Sequence, residues 1–477
     1  LPPWVIPTHY GLDITVDVES LAFAGSAGID LDLKESTAFV AFHSVALDVH
    51  DAVVVPAGGD GVISPVRVDE RPEREYTLLW FEPALEAGRY RLRLGFNGTL
   101  TDELRGFYYS TFTSLVDGEK KYIATTQFQP TDARRAFPSL DEPGLKATFQ
   151  VNLTTPRGFH GLGNMPAREI LPVANGARKF VFDTTPRMST YLVAFIASNF
   201  EFVSGKTSRG VNVSVYTQPG RVNEGRYALE VAIHCLEFYE EKYMIEYPLP
   251  KSDLIAIPDF SAGAMENWGL VTFRDTALLY KEGQTSADEK QRVATVIAHE
   301  LAHQWYGGFG DIVTMEWWND LWLNEGFAER MEYLGVNAIE PSWRMEEQFV
   351  PLDLSRALMA DSSYFTHPIA IPVSDPEEIA AIFDDVSYGK GASVIRMLQG
   401  YLATTIDESY FFSRIQAYLK EHAYTNAETA ELWQALDQDP RVDVAGLMST
   451  FTDQPGYPVV SVSSLSGDLA IKQERFL

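Results

Sequence analysis

The stretch SADEKQRVATVIAHELAHQW, residues 286–305, decides how the middle of this chain folds. Ser286 stands three residues before Glu289, the spacing of a capping box, in which two side chains reciprocally satisfy backbone N–H groups at a helix start. Beyond it Val293, Val296, Ile297, Leu301 and Trp305 recur at helical intervals, which predicts a helix with one apolar face. His299-Glu300-Leu301-Ala302-His303 lies within it. A four-residue separation sets both imidazoles on one face, one turn apart, where they can share a tetrahedral Zn²⁺. Glu300 is the candidate general base, able to take a proton from a water whose pKa the metal has lowered toward neutrality.

A catalytic zinc needs three protein ligands and one open position, so a third donor has to come from elsewhere. The next helical stretch, Trp318-Asn319-Asp320-Leu321-Trp322-Leu323-Asn324-Glu325-Gly326-Phe327-Ala328-Glu329, offers Asp320, Glu325 and Glu329.

Working outward, the chain up to about residue 200 is strand-like, with short β-rich runs at residues 28–33, 90–96, 122–128 and 191–196 punctuated by Gly, Pro and Asp. From Asn223 the pattern turns helical, with Leu229, Ile233, Leu236 and Tyr239 on one face. A strand-and-loop region at residues 254–273 follows, then helices from Ser286, Asn319 and Tyr388. Strands followed by helices predict an α+β unit. After a short helical stretch, Val459-Val460-Ser461-Val462 and Leu469-Ala470-Ile471-Lys472 predict two paired strands with no further sheet to join, the opening of another β unit in a truncated or split polypeptide.

At 477 residues the chain is long enough for at least two folding units. Its 38 Lys and Arg against 66 Asp and Glu, a formal net charge of −28, argue against a nucleic-acid partner and suit either a soluble acidic surface or an amine-bearing ligand. One cysteine, Cys235, excludes an intrachain disulfide and favours a reducing, cytoplasmic setting; three N-x-[ST] sequons at Asn97, Asn152 and Asn212 point the other way. No apolar run of about 18 residues predicts a transmembrane segment. The opening Leu1-Pro2-Pro3 reads as a trimmed end.

Gly263-Ala264-Met265-Glu266-Asn267, the motif at residues 299–303, Thr314-Met315-Glu316-Trp317-Trp318-Asn319-Asp320 and Trp322-Leu323-Asn324-Glu325-Gly326 together resemble the gluzincin zinc aminopeptidase family, of the puromycin-sensitive and aminopeptidase N type. Matches at residues 126–134 and at Ser387-Tyr388-Gly389-Lys390-Gly391 extend the likeness through nearly the whole chain. It implies a multidomain fold: an N-terminal, mostly-β saddle domain over residues 1–202, a thermolysin-like α+β catalytic domain over 203–444, and over 445–477 a linker with the first strands of a truncated β-sandwich. The family's large C-terminal helical domain is missing from the sequence and is a possible partner.

The resemblance also implies one zinc per chain, held by His299, His303 and Glu325, and peptides with a free N-terminus as substrates. Residues 263–267 would lie along the substrate as an edge strand, Gly263 and Ala264 pairing with it through their backbone, Met265 and Asn267 flanking, and Glu266 holding the α-ammonium. Gln129 would accept from the same amine, and the Tyr388 phenol would donate to the oxyanion. Two departures stand out. Ser139 occupies a place where the family often has cysteine, and His303 and Glu325 are separated by twenty-one residues where the family has eighteen. The three extra residues fall within 306–312, a glycine-rich segment expected to bulge outward while Glu325 still reaches the metal; the alternative is a one-turn shift that brings Glu329 instead. Two other functional readings are a metal-free peptide-binding scaffold of the same fold and a dual epoxide hydrolase and aminopeptidase.

Overall fold

The computed structural model describes residues 1–59, 61–305, 312–465 and 468–476. A mostly β N-terminal region precedes a helix-rich one. The chain gathers into two compact units, Leu1–Glu237 with Tyr247–Leu301, and Phe238–Glu246 with Ala302–Leu477. The division passes through two continuous helices, Arg226–Tyr243 and Ala287–Ala302.

In the first unit a seven-stranded sheet is built around the strand Val5–Asp17, which pairs antiparallel with Ala22–Leu33 and parallel with Thr148–Thr155. Its side chains alternate between faces, so Tyr10, Leu12, Ile14 and Val16 all turn into the core. The Tyr10 ring stacks on Phe149 with centroids 4.7 Å apart. A five-stranded sheet carries the site-bearing segments. Its central strand Lys251–Ile257 is buried along its whole length, as a strand covered on both faces must be, and runs parallel to Asn212–Thr217 and Leu270–Arg274. The two-residue strand Ala264–Met265 closes one edge of this sheet, antiparallel to Leu270–Arg274.

Five helices matter below: α1 (Arg226–Tyr243), α2 (Ala287–Ala302), α3 (Leu321–Ile339), α4 (Ser355–Asp361) and α5 (Gly391–Thr405). At the start of α2 the Glu289 N–H donates to Ser286 Oγ at 3.1 Å while the Ser286 N–H donates to Glu289 Oε2 at 2.9 Å, the reciprocal cap read from the sequence. Three other elements differ from expectation at their ends. Residues 191–196 do not form one strand: Thr190–Leu192 is a 3₁₀ turn and the strand is Phe195–Ser198. Trp318–Asp320 is likewise a 3₁₀ turn, so α3 begins at Leu321 and not at Asn319. Tyr388 lies inside a wide π-type turn, Val386–Lys390, that runs into α5. Apolar periodicity fixes which face is buried; it carries no information on how tightly the first turn is wound.

The strands Pro458–Leu465 and Asp468–Arg475 pair as an antiparallel hairpin that, among the described residues, joins no other sheet, leaving Val460, Val462, Leu469 and Ile471 exposed. Among the described residues no helix is long and apolar enough to cross a membrane.

Candidate metal centre

His299 and His303 stand one turn apart at the end of α2, and Trp305 just beyond them is fully buried, its indole N–H donating to the Ile245 carbonyl at 2.8 Å. This anchors the chain where the helix ends. The His303 ring is buried with both nitrogens engaged. Its Nδ1 lies 3.1 Å from Asn324 Oδ1 and its Nε2 lies 3.4 Å from Glu325 Oε2, both on the first turn of α3. An amide oxygen only accepts, so Nδ1 carries a proton toward Asn324, and Nε2 is the ring atom turned to the carboxylate and available to a metal.

His299, His303 and Glu325 each offer one ligand atom within 4.8 Å of the others. Two ligands bonded to zinc at about 2.0–2.1 Å with a tetrahedral angle between them stand about 3.3–3.4 Å apart. The separation of His303 Nε2 and Glu325 Oε2 meets that requirement. Two imidazoles and one carboxylate, with a fourth position left for water or substrate, are a donor set that zinc accepts. Glu329, one turn further along α3, is buried but does not belong to this cluster. Asp320 lies off the site: its carboxylate accepts from the Thr429 hydroxyl, and burial pushes its pKa up to about 6. The bulge expected at residues 306–312 falls, apart from Ile312, outside the described residues.

A second cluster, Glu266, Glu300 and His303, again brings one donor atom from each residue within 4.8 Å. Glu266, Glu300 and Glu325 are all at most 6% exposed. Of these, Glu266 and Glu300 lie close together, and a divalent cation or a substrate ammonium would offset the charge of such a buried carboxylate pair. Glu266 follows the edge strand directly, and Gln129 Nε2 donates to its Oε1 at 3.4 Å, which brings the two proposed amine acceptors together. Asn267 is fixed by its own hydrogen bond, Nδ2 to Thr272 Oγ1 at 3.0 Å, and Met265 is buried. The Gly263 carbonyl accepts from the Arg274 N–H at 2.9 Å. Antiparallel pairing alternates, so the backbone groups turned toward the open edge of the sheet are those of Ala264.

Tyr388 is half-buried, in the turn ahead of α5. That turn lies close to the glutamate helix because two glycines meet: a Cβ on Gly326 would come within 2.9 Å of the Gly391 carbonyl carbon, and one on Gly391 within 3.3 Å of the Gly326 Cα. Any side chain at either position would force the two backbones apart.

Residues 6–192 match the peptidase M1 N-terminal domain, and residues 227–451 match the peptidase family M1 domain. The chain belongs to peptidase family M1. It is 46% identical over 480 residues to Aminopeptidase M1 of Arabidopsis thaliana, 44% over 481 residues to Aminopeptidase M1-A of Oryza sativa subsp. japonica, and 39% over 506 residues to Endoplasmic reticulum aminopeptidase 1 of Homo sapiens. Each alignment takes in all of this chain and 53% of the relative, so the chain spans about half the length of the curated relatives it matches.

Sequence reasoning passed over Asn324 as part of a matching word. Its signal was available: a polar side chain directly before the candidate ligand Glu325, on a helix start otherwise made of Leu321, Trp322 and Leu323, is poorly explained by packing.

Proposed function

We propose that this protein is a zinc-dependent aminopeptidase that removes the N-terminal residue from peptides. The observation that carries the reading is the pairing of a His299, His303 and Glu325 donor set with a second buried carboxylate, Glu266, beside Gln129. When bound, zinc supplies a Lewis acid that acidifies its water and polarises the scissile carbonyl.

The protein's own groups do the rest. Glu266 accepts from the substrate α-ammonium by charge-assisted hydrogen bonds, with Gln129 as a weaker neutral acceptor, so the chain end is registered against the site. The backbone of Ala264 extends the sheet edge onto the peptide. Glu300 takes the proton from the attacking water and returns it to the leaving amine, which makes it base and then acid in one cycle. Tyr388 donates its phenolic hydrogen to the oxyanion. Asn324 holds the His303 proton on Nδ1, keeping Nε2 as a ligand.

A cytoplasmic location is proposed as well, supported by the lone cysteine, Cys235, which is buried and whose thiol pKa burial pushes up. A glycan at Asn97, Asn152 or Asn212, detected by intact mass, would overturn that location.

The test compares aminoacyl fluorogenic substrates with their N-acetylated counterparts in wild type and Glu266→Gln. Wild type should cleave only the free amines. A hydrogen bond to a charged group contributes about 1.5–3 kcal/mol, so Glu266→Gln should lose roughly ten- to a hundredfold in kcat/KM, chiefly through KM. Equal cleavage of acetylated substrates would sink the exopeptidase reading, and binding of free-amine substrates without cleavage would favour the scaffold.

A further inference from the structure

The turn that carries Tyr388 is held at both of its ends by one distant segment. Lys390, two residues after Tyr388, is buried, and its Nζ lies 2.9 Å from Asp361 Oδ2 at the end of α4. The same ammonium donates to the Gly456 carbonyl at 3.0 Å and to the Gln454 carbonyl at 3.4 Å, so it is held by two hydrogen bonds and one ion pair. Asp361 is 1% exposed, and its other oxygen accepts from the Gly456 N–H and from the Thr366 hydroxyl, each at 2.8 Å.

At the other end, Asp384 ties the turn together from within. Its Oδ1 accepts from the Val386 and Ser387 N–H groups at 2.9 and 3.1 Å, and its carbonyl accepts from the Tyr388 N–H at 3.0 Å. Its remaining oxygen, Oδ2, is 3.0 Å from His367 Nε2. His367 Nδ1 in turn lies 2.7 Å from the Pro368 carbonyl, so both ring nitrogens face acceptors and the ring is engaged as a cation. Inside the turn Gly389 leaves no room for a side chain: a Cβ there would sit 3.0 Å from the Asp353 carbonyl oxygen and 3.2 Å from the Ala357 Cβ.

We propose that residues 361–367 form a clasp, with Asp361 gripping Lys390 and His367 gripping Asp384, that fixes the turn between them and so aims the Tyr388 phenol. Asp361, His367, Asp384 and Lys390 are positioning residues; none of them is proposed to touch substrate. What the clasp is for rests on Tyr388 being the oxyanion donor, whereas its existence as a restraint does not.

The test uses the zinc-loaded full-length protein as wild type, Asp361→Asn, Lys390→Met, Lys390→Arg and Tyr388→Phe, measuring hydrogen–deuterium exchange of the amides in residues 384–391 together with kcat and KM. Asp361→Asn and Lys390→Met should speed exchange in that segment about tenfold or more while α2 exchanges as in wild type. They should also lower kcat by roughly ten- to a hundredfold with little change in KM, the cost of misplacing a catalytic group by about an ångström. Lys390→Arg, which keeps the charge, should recover most of kcat, and Tyr388→Phe should lower kcat with exchange unchanged. Wild-type exchange in both clasp variants would overturn the proposal, as would faster exchange with undiminished kcat. If Tyr388→Phe keeps full kcat, the oxyanion reading fails by itself, and the exchange data still decide whether the clasp holds the turn. Should Lys390→Met fail to fold, the isosteric Asp361→Asn carries the test.

Discussion

His303 and Tyr388 are positioned by opposite means. His303 is placed by one helical turn from His299 and by adjacent residues of α3, Asn324 and Glu325, so a short stretch of backbone on each side sets its geometry. Tyr388 sits in a π-type turn whose shape depends on Asp361 and His367, more than twenty residues upstream of it. Local backbone geometry is stiff and cheap to specify. A turn held by side chains from another segment is only as rigid as those contacts, and the loss of one of them should be felt throughout it.

The difference can be sharpened from the local side first. Removing the amide in Asn324→Ala frees the His303 ring to change tautomer or rotate, and outer-shell partners of this kind typically contribute 10- to 100-fold in metal affinity or activity. Chelator competition should show zinc held about that much more weakly, with the unfolding midpoint shifted far less. If zinc affinity is untouched, the helix alone positions His303 and the Asn324 contact is incidental.

A smaller effect is expected on the clasp. The hydrogen bond to Asp384, opposed by burial, raises the His367 pKa above its ordinary 6.5. A raised pKa means that the folded state holds this proton more tightly than the unfolded chain does. The pair's contribution to stability is therefore fully present below pH 6.5 and is lost as pH climbs through the folded-state value. Because the pair is partly exposed, the contribution is on the order of 1 kcal/mol or less. Unfolding of wild type and His367→Gln, followed from pH 5.5 to 8.5, should show a gap at the acid end that closes toward the alkaline end. A gap that widens with pH would contradict a charged His367.

These two regions also mark how far the sequence could be read. The capping box at Ser286, the apolar stripe behind it and the spacing of His299 and His303 are local patterns, and local patterns survive in a linear text. The edge position of residues 264–265 followed from a resemblance and not from periodicity, since two residues are too few to show a period. Glu325 was reached through a family word despite a spacing three residues too long, and its carboxylate lies beside His303. The clasp was illegible because nothing in the sequence links Asp361 to Lys390 or His367 to Asp384: such ion pairs are set by the packing of α4 against the turn. The same holds for Gly326 and Gly391, whose purpose emerges only when the two backbones are seen to touch.

On the proposed mechanism Glu300 moves the proton at a site whose metal is held independently of it. Zinc content and turnover of an aminoacyl substrate, measured together in wild type and Glu300→Gln, test this most directly. The account predicts one zinc per chain in both proteins and a loss of kcat in the variant of about 10²–10⁴-fold, the range that a positioned general base contributes. A variant that keeps its zinc and cleaves as fast as wild type, or a wild type that binds zinc and cleaves nothing, would contradict it.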